Sequence, residues 1–169
     1  TPAVPARWLS EMVGGPVYLK CENLQRTGSF KIRGAYNRIC ALSAEERARG
    51  VVAASAGNHA QGVALAASML GVSSTVFMPE GATLPKIEAT VAYGAKVEFS
   101  GSTVDEALSA AAEYSERTGA VLIHPFDHRD IVAGQATVGS EIGQDRPEAR
   151  RAVVRAGGGG ARAGVCLGA

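Results

Sequence analysis

The chain has 169 residues, of which 46% are hydrophobic and 20% charged, a balance typical of a globular domain rather than of a disordered segment. A formal net charge of +1 does not indicate binding to nucleic acid or to an anionic membrane surface. The three cysteines have no close pairing, so they indicate neither a disulfide framework nor a metal site. No apolar run reaches membrane-spanning length, and no signal segment is visible. These features are compatible with a cytoplasmic protein.

Short apolar runs alternate along the chain with alanine-rich segments of helical periodicity. The predicted strands are 17–19, 51–54, 74–78, 96–99, 121–123 and 152–154. Helices are predicted at about 58–70 and about 103–118. The N-cap of the second is expected at Ser102 or Thr103, and Glu106 is placed for a capping box on Thr103. Strands separated by helices predict βαβ units and an open parallel sheet with flanking helices, which is an α/β fold.

The segment 50–127 contains several of these units and is expected to pack as a subdomain. After Pro147 the chain becomes rich in arginine, alanine and glycine, and it stops where a helix is expected to begin. A parallel strand needs a crossover that packs back on the sheet. The sequence is therefore expected to be a fragment of a longer protein.

Lys31 lies in the segment 27–35, TGSFKIRGA, at the expected start of a helix. Gly28 and Ser29 are expected to form the turn and the N-cap. An ammonium group in the first turn faces the positive end of the helix dipole, at a cost of about 0.3–1 kcal/mol. This favours the neutral amine, which is the form that attacks a carbonyl group. The neighbouring residues alone leave open whether Lys31 is reactive or simply solvated.

The segment 54–62, ASAGNHAQG, follows an apolar strand and opens a helix. Small residues in such a turn direct several backbone N–H groups at one point, which suits a carboxylate or a phosphate. Asn58 and His59 add side-chain donors at the carboxyl edge of a parallel strand, where open α/β sheets bind ligands. The alternative is that Ser55 or Asn58 only caps the helix and that His59 packs.

Four glycines at 157–160 follow the last predicted strand. Such a run forms a backbone nest that can approach a phosphate closely, although on its own it is more typical of a flexible tail. Gly158, Gly160 and Ala163 also satisfy a loose dinucleotide-binding pattern, but no acidic ribose-binding residue follows. Taken together and in order, the three motifs describe a site for a cofactor that carries an aldehyde and a phosphate.

These segments resemble the fold-type-II pyridoxal-phosphate enzymes, specifically the threonine dehydratase and serine racemase branch. The matching segments follow the family's order, and they are 20–35, 55–62, 124–127, 133–137 and 157–160. The resemblance implies a tryptophan-synthase-β-like architecture. In it, 50–127 is a small inserted subdomain, and 1–49 with 128–169 forms part of a large cofactor-binding domain that is incomplete here.

The resemblance also implies a role for each motif. Lys31 is expected to form a Schiff base with pyridoxal 5'-phosphate and to remove the substrate's α-proton, while Phe30 lies against the cofactor ring. Asn58 is expected to hydrogen-bond the phenolic oxygen of the cofactor. The substrate carboxylate is expected to bind to Ser55 and to the backbone around Gly57 and His59. The cofactor phosphate is expected to be held by Gly157, Gly158, Gly159 and Gly160.

The implied reaction is dehydration and deamination of L-threonine to 2-oxobutanoate and ammonia, and of L-serine to pyruvate. Racemases of this branch carry a second base, a serine, at the position of Ala56, and a methyl group cannot transfer a proton. The dehydratase is therefore preferred to a serine-racemase-type activity, and an inactive cofactor-binding remnant is the other alternative. The resemblance further implies a homo-oligomer in amino-acid metabolism, such as isoleucine biosynthesis, with no nucleic-acid or membrane partner.

Overall fold

The computed structural model describes residues 1–154 and 159–168. Within these residues the strands are β1 Ala3–Pro5, β2 Tyr18–Lys20, β3 Val51–Ala54, β4 Ser74–Met78, β5 Lys96–Phe99 and β6 Val121–Leu122. The helices are α1 Arg7–Val13, α2 Lys31–Cys40, α3 Ala44–Arg49, α4 Asn58–Met69, α5 Leu84–Ala92, α6 Val104–Thr118, α7 Arg129–Asp145 and α8 Gly160–Gly168.

The main sheet is four-stranded and entirely parallel, in the order β5-β4-β3-β6. Val51 is paired with Ser74 on β4 and with Val121 on β6, so β3 lies inside the sheet. All four residues of β3 are buried, as expected for a strand with both faces covered. The predicted α/β fold with a parallel sheet and flanking helices is confirmed.

Alternate residues of β3 enter two different cores because successive side chains point to opposite faces of a strand. Val51 and Ala53 pack in a cluster with α2 and α4, whereas Val52 and Ala54 pack in a second cluster with α6. Ala107 supplies a small buried surface on α6, which lets that helix approach the sheet closely. The sheet is therefore fixed between helices on both faces.

Helices α2 and α7 cross at two glycines. A Cβ atom added to Gly134 would lie 2.5 Å from the carbonyl oxygen of Arg33 and 2.6 Å from the Cα of Gly34. Helix α8 is equally close to α7, since a Cβ on Gly164 would lie 2.7 Å from the carbonyl carbon of Gln135. These contacts hold the start of α2, and with it Lys31, against the helices at the carboxyl end of the chain.

Several expectations from the sequence are confirmed at the level of single elements. Helix α4 covers most of the predicted 58–70 segment. Helix α6 has Thr103 as its N-cap in a capping box with Glu106 and ends at Gly119, which has a φ of 76°. The predicted strand at 17–19 is present one residue later, and it pairs antiparallel with β1, a pairing that the sequence analysis missed.

Two predictions are wrong. Residues 152–154 form no strand, and the Val153 side chain is fully exposed. The reason is that a strand requires a hydrogen-bonded neighbour, and none is assigned beside this segment among the described residues. Ser29 is not the N-cap of α2, since Phe30 holds that position without a side-chain cap.

The predicted division into domains stays a prediction. The four strands of the parallel sheet lie within 50–127, whereas α2, α7 and α8 belong to 1–49 and 128–169. Among residues 1–154 and 159–168, no helix combines the length and the apolar character needed to cross a membrane.

Candidate active site

Lys31 is the first residue of α2 and follows a tight turn in which Gly28 has a φ of 69°. Its amine donates a hydrogen bond of 2.6 Å to the carbonyl oxygen of Pro125. Burial of this side chain lowers the pKa of Lys31 below its ordinary value of 10.5. A larger fraction of this amine is therefore neutral at a given pH than for a lysine in water, as nucleophilic attack requires.

A cavity of about 490 Å³ opens beside Lys31, within the size range of small-molecule sites. Its lining includes Phe30, Lys31, Phe126, Gln135, Gly159 and Gly160. The Lys31 amine lies 5.6 Å from the centre of the Phe30 ring. The fold thus gathers the lysine motif and the described part of the glycine run around one cavity.

Gly159 and Gly160 line this cavity at positions that disfavour a side chain for two different reasons. Gly159 has a φ of 86°, a conformation that favours glycine. A Cβ atom on Gly160 would lie 3.2 Å from the Cβ of Phe126. Gly157 and Gly158, which were predicted to complete the phosphate cradle, lie outside the described residues.

Gln135 is a lining residue to which the sequence analysis assigned no role. Its side chain is only 1% exposed, and its Oε1 atom has no hydrogen-bond partner among the described residues. A buried acceptor without a partner costs about 1–3 kcal/mol, so a ligand or water that donates here is favoured. The signal in the sequence is a glutamine in the apolar stripe formed by Ile131 and Val138.

The turn between β3 and α4 is organised by Ser55 and Gly57. The backbone N–H of Gly57 donates to the Ser55 Oγ atom at 3.0 Å, which is a local capping contact. Gly57 is the N-cap of α4 and provides no side-chain cap, and Asn58 is exposed at the first helical position. Within the described residues, the N-cap position of α4 therefore provides no side-chain acceptor for the first helical N–H groups.

His59 packs inside the protein rather than facing a ligand. Its Nε2 atom lies 2.8 Å from the carbonyl oxygen of Ile123. Burial lowers the pKa of His59 to about 4, so the ring is neutral at pH 7 and its Nε2–H donates to that carbonyl. The packing interpretation of this ring is thus the correct one, whereas the role of the His59 backbone stays a prediction.

The second motif lies beside the cavity and not on its wall. A Cβ atom on Gly62 of α4 would lie 3.1 Å from the carbonyl carbon of Lys31, so α4 and α2 touch at the lysine. Ser55, Gly57, Asn58 and His59 are not among the described residues that line the cavity. The fold therefore brings the motifs together as neighbours.

The comparison with known families decides between the possible classes of small-molecule site. The profile of the family described as "Pyridoxal-phosphate dependent enzyme" matches residues 1–169. The chain belongs to this family. Its cofactor is accordingly pyridoxal phosphate, as the resemblance implied.

Two curated relatives of this pyridoxal-phosphate-dependent enzyme chain are named L-threonine ammonia-lyase. The L-threonine ammonia-lyase of Thermotoga maritima is 58% identical over 159 residues, which cover 94% of this chain and 40% of the relative. The L-threonine ammonia-lyase of Geobacter sulfurreducens is 50% identical over 165 residues, which cover 98% and 41%. The chain spans about two fifths of the length of these two relatives, in agreement with the expected fragment.

Solved structures give the same picture of the fold. The processed form of threonine deaminase isoform 2 from Solanum lycopersicum superposes with a TM-score of 0.96 at 43% identity, covering 99% of this chain and 46% of that one. Maize serine racemase superposes with a TM-score of 0.96 at 39% identity, covering 99% and 51%. The fold-type-II architecture expected from the motifs is thereby confirmed.

The residues around Lys31 fit pyridoxal phosphate. Lys31 offers a partly buried amine for the aldehyde, and Phe30 offers an aromatic ring beside it. Gly159 has a positive φ that favours glycine, and Gly160 has little room for a Cβ atom, so both positions suit a backbone that approaches a phosphate. Gln135 adds a buried acceptor on the same cavity.

Proposed function

We propose that the protein containing this chain is a pyridoxal-phosphate-dependent L-threonine ammonia-lyase that yields 2-oxobutanoate and ammonia, with L-serine as a second substrate that yields pyruvate. The observation that carries the proposal is the environment of Lys31, a partly buried amine of lowered pKa on a cavity lined by Phe30 and Gly160. The names of the relatives from Thermotoga maritima and Geobacter sulfurreducens support the choice of substrate.

The chain's own residues would bind and orient both the cofactor and the amino acid. Bound pyridoxal phosphate supplies an electron sink that acidifies the substrate's Cα–H bond and assists loss of the β-hydroxyl group. Lys31 would hold the cofactor and move the α-proton at its Nζ atom, while Phe30 packs on the ring and Asn58 donates to the phenolic oxygen. The phosphate would be held by Gly157, Gly158, Gly159 and Gly160.

The substrate carboxylate would lie on the turn before α4. We assign it to the Ser55 hydroxyl and to the backbone N–H groups around Gly57 and His59. These N–H groups lie at the positive end of that helix. The Ser55 Oγ atom accepts from Gly57 and keeps its own proton available for donation to an anion. The carboxylate would then fix which face of the α-carbon is presented to Lys31.

Serine racemisation is the second candidate, and the superposition on maize serine racemase favours it. Inversion at the α-carbon requires a proton donor on the face of the cofactor opposite Lys31. The resemblance places Ala56 there, and its methyl group carries no transferable proton. Elimination is therefore preferred to racemisation.

Further parts of the proposal concern the intact protein. We assign 50–127 to a small subdomain and 1–49 with 128–169 to a larger cofactor-binding domain. The intact protein is proposed to be a cytoplasmic homo-oligomer in amino-acid metabolism, with isoleucine biosynthesis as one possible setting. An amino acid is its proposed small-molecule partner, in line with the names of its relatives.

The test is to add pyridoxal phosphate to the full-length protein, reduce with borohydride, and locate the modified residue by peptide mass spectrometry. The expected result is modification of Lys31, and none in a Lys31→Ala variant. Modification of another lysine, or of none in folded protein, would contradict the assigned role of Lys31. Release of 2-oxobutanoate from L-threonine is measured in parallel; binding of the cofactor without release would support the inactive-remnant alternative.

A further inference from the structure

A second lysine lies beside the turn that precedes α4. Lys86 is in the first turn of α5, which follows β4, and β4 is the parallel neighbour of β3. A Cβ atom added to Gly57 would lie 3.8 Å from the Nζ atom of Lys86, the nearest described atom outside Gly57 and its two chain neighbours. The Lys86 amine therefore lies next to Gly57 in the turn that precedes α4.

Lys86 differs from the other lysines of the chain in its contacts. Lys20 forms ion pairs with Glu141 and Asp145, and Lys96 forms one with Glu98 at 2.6 Å. Lys31 donates to a carbonyl oxygen. Lys86 is exposed, and among residues 1–154 and 159–168 its side-chain amine has neither an ion-pair partner nor a hydrogen-bond acceptor, so its charge is available to a ligand.

The position of Lys86 is unfavourable for the helix that carries it. The first turn of α5 contains no acidic residue, and a cation there faces the positive end of the helix dipole. The start of α4 also lacks a side-chain cap, and it lies at the same edge of the sheet. The Lys86 amine therefore lies beside a helix start that has no side-chain cap, which suits a carboxylate.

We propose that Lys86 binds the α-carboxylate of the amino-acid substrate on the Ser55–Gly57 turn. The inference rests on the proposed function and deepens it, since it makes a free α-carboxylate a requirement for recognition. Lys86 has no part in proton transfer, a step that belongs to Lys31. Loss of its charge is therefore expected to weaken binding and to leave the chemical step almost unchanged.

The test compares Lys86→Met and Lys86→Arg with wild type in the full-length, cofactor-loaded enzyme. L-Alanine is the probe, because it has an α-carboxylate but no hydroxyl group to eliminate, and its binding is followed by the absorbance of the cofactor. Lys86→Met is expected to raise the Kd for L-alanine and the KM for L-threonine about tenfold, as loss of one charge-assisted hydrogen bond does. The value of kcat should stay within about twofold, and Lys86→Arg should retain most of the affinity.

Lys96→Met is the matched control, because Lys96 is an exposed lysine on β5 of the same sheet. Its Kd for L-alanine is expected to equal that of wild type. L-Alaninamide, which has no carboxylate, should bind wild type and Lys86→Met equally.

Equal affinity of Lys86→Met and Lys96→Met for L-alanine would overturn the inference. Should Lys86→Met fail to fold, Lys86→Gln provides the same loss of charge with a polar side chain. An enzyme that binds L-alanine but leaves L-threonine unconverted would contradict the proposed function alone, since the role of Lys86 is read from binding.

Discussion

The amine of Lys31 donates a 2.6 Å hydrogen bond to the carbonyl oxygen of Pro125, although 94 residues separate the two along the chain. The same loop accepts from His59 through the carbonyl oxygen of Ile123. The segment after β6 therefore joins the start of α2 to the start of α4. It sets the position of the Lys31 amine relative to the turn proposed to bind the substrate carboxylate.

Lys31 is expected to lose its proton at a lower pH than Lys96. Burial lowers the pKa of Lys31, whereas the hydrogen bond to Glu98 raises the pKa of exposed Lys96. Acetylation of cofactor-free protein between pH 7 and pH 11, with each lysine normalised to its own rate at high pH, measures both midpoints. A Lys31 midpoint at or above that of Lys96 would contradict the prediction.

His59 is expected to make the protein less stable in mild acid. Its pKa is about 4 in the folded state and about 6.5 when unfolded, so between these values only the unfolded chain binds the proton. The free energy of unfolding should fall by up to about 3 kcal/mol as the pH drops from 6.5 to 4.

A His59→Gln variant removes this titration and should show a shallower loss of stability over the same interval. Urea unfolding at pH 6.5, 5.5 and 4.5 measures the two slopes. Identical slopes for wild type and variant would show that His59 is not the group responsible.

Gly134→Ala is expected to force α2 and α7 apart, because the new methyl group would meet the backbone of Arg33 and Gly34 at 2.5–2.6 Å. Overpacking of this kind costs about 1–3 kcal/mol of stability. Gly143→Ala, on the same helix with no atom within 4 Å of the new Cβ, should instead gain about 0.5–1 kcal/mol. Thermal unfolding of the two variants separates these effects, and destabilisation of both by the same amount would refute the explanation.

Glu141→Gln is expected to destabilise the packing of α2 on α7. Glu141 accepts hydrogen bonds from Arg33 at 2.5 and 3.0 Å and pairs with Lys20 at 2.7 Å. Loss of the negative charge and of one acceptor oxygen should cost about 1–3 kcal/mol, since it weakens the bonding of a mostly buried guanidinium group. Glu11→Gln, which breaks an exposed pair with Arg7, should cost only about 0.3–0.5 kcal/mol.

The effect of Glu141 also has a definite pH dependence. The hydrogen bonds from Arg33 hold the pKa of Glu141 well below its ordinary value of 4.5. Because the folded-state pKa is depressed, the stabilisation is complete above pH 4.5 and is lost as the pH falls below it. The difference between wild type and Glu141→Gln in urea unfolding should therefore shrink below pH 4.5, and a constant difference would contradict this assignment.

Sequence reasoning located several elements whose signal is local. The capping box of Thr103 with Glu106 and the continuous apolar run of β3 lie within single segments, and both are present as predicted. The strand predicted at 152–154 was wrong because strand formation depends on a neighbour that an isolated apolar run does not specify. Local capping rules also failed at Ser29, whose hydroxyl group is buried without a described partner.

The sequence by itself determined the class of cofactor to expect, since the lysine motif, the turn before α4 and the glycine run are each ambiguous but together describe a site for an aldehyde and a phosphate. Only the tertiary structure decided that Gln135 faces the Lys31 cavity, that the His59 ring is used for packing, and that Lys86 stands over Gly57. The physical reason is that parallel strands end at one edge of a sheet, so residues far apart in sequence become neighbours. Which neighbours meet is then set by how closely α2, α4 and α7 pack, and glycines at 34, 62 and 134 determine that distance.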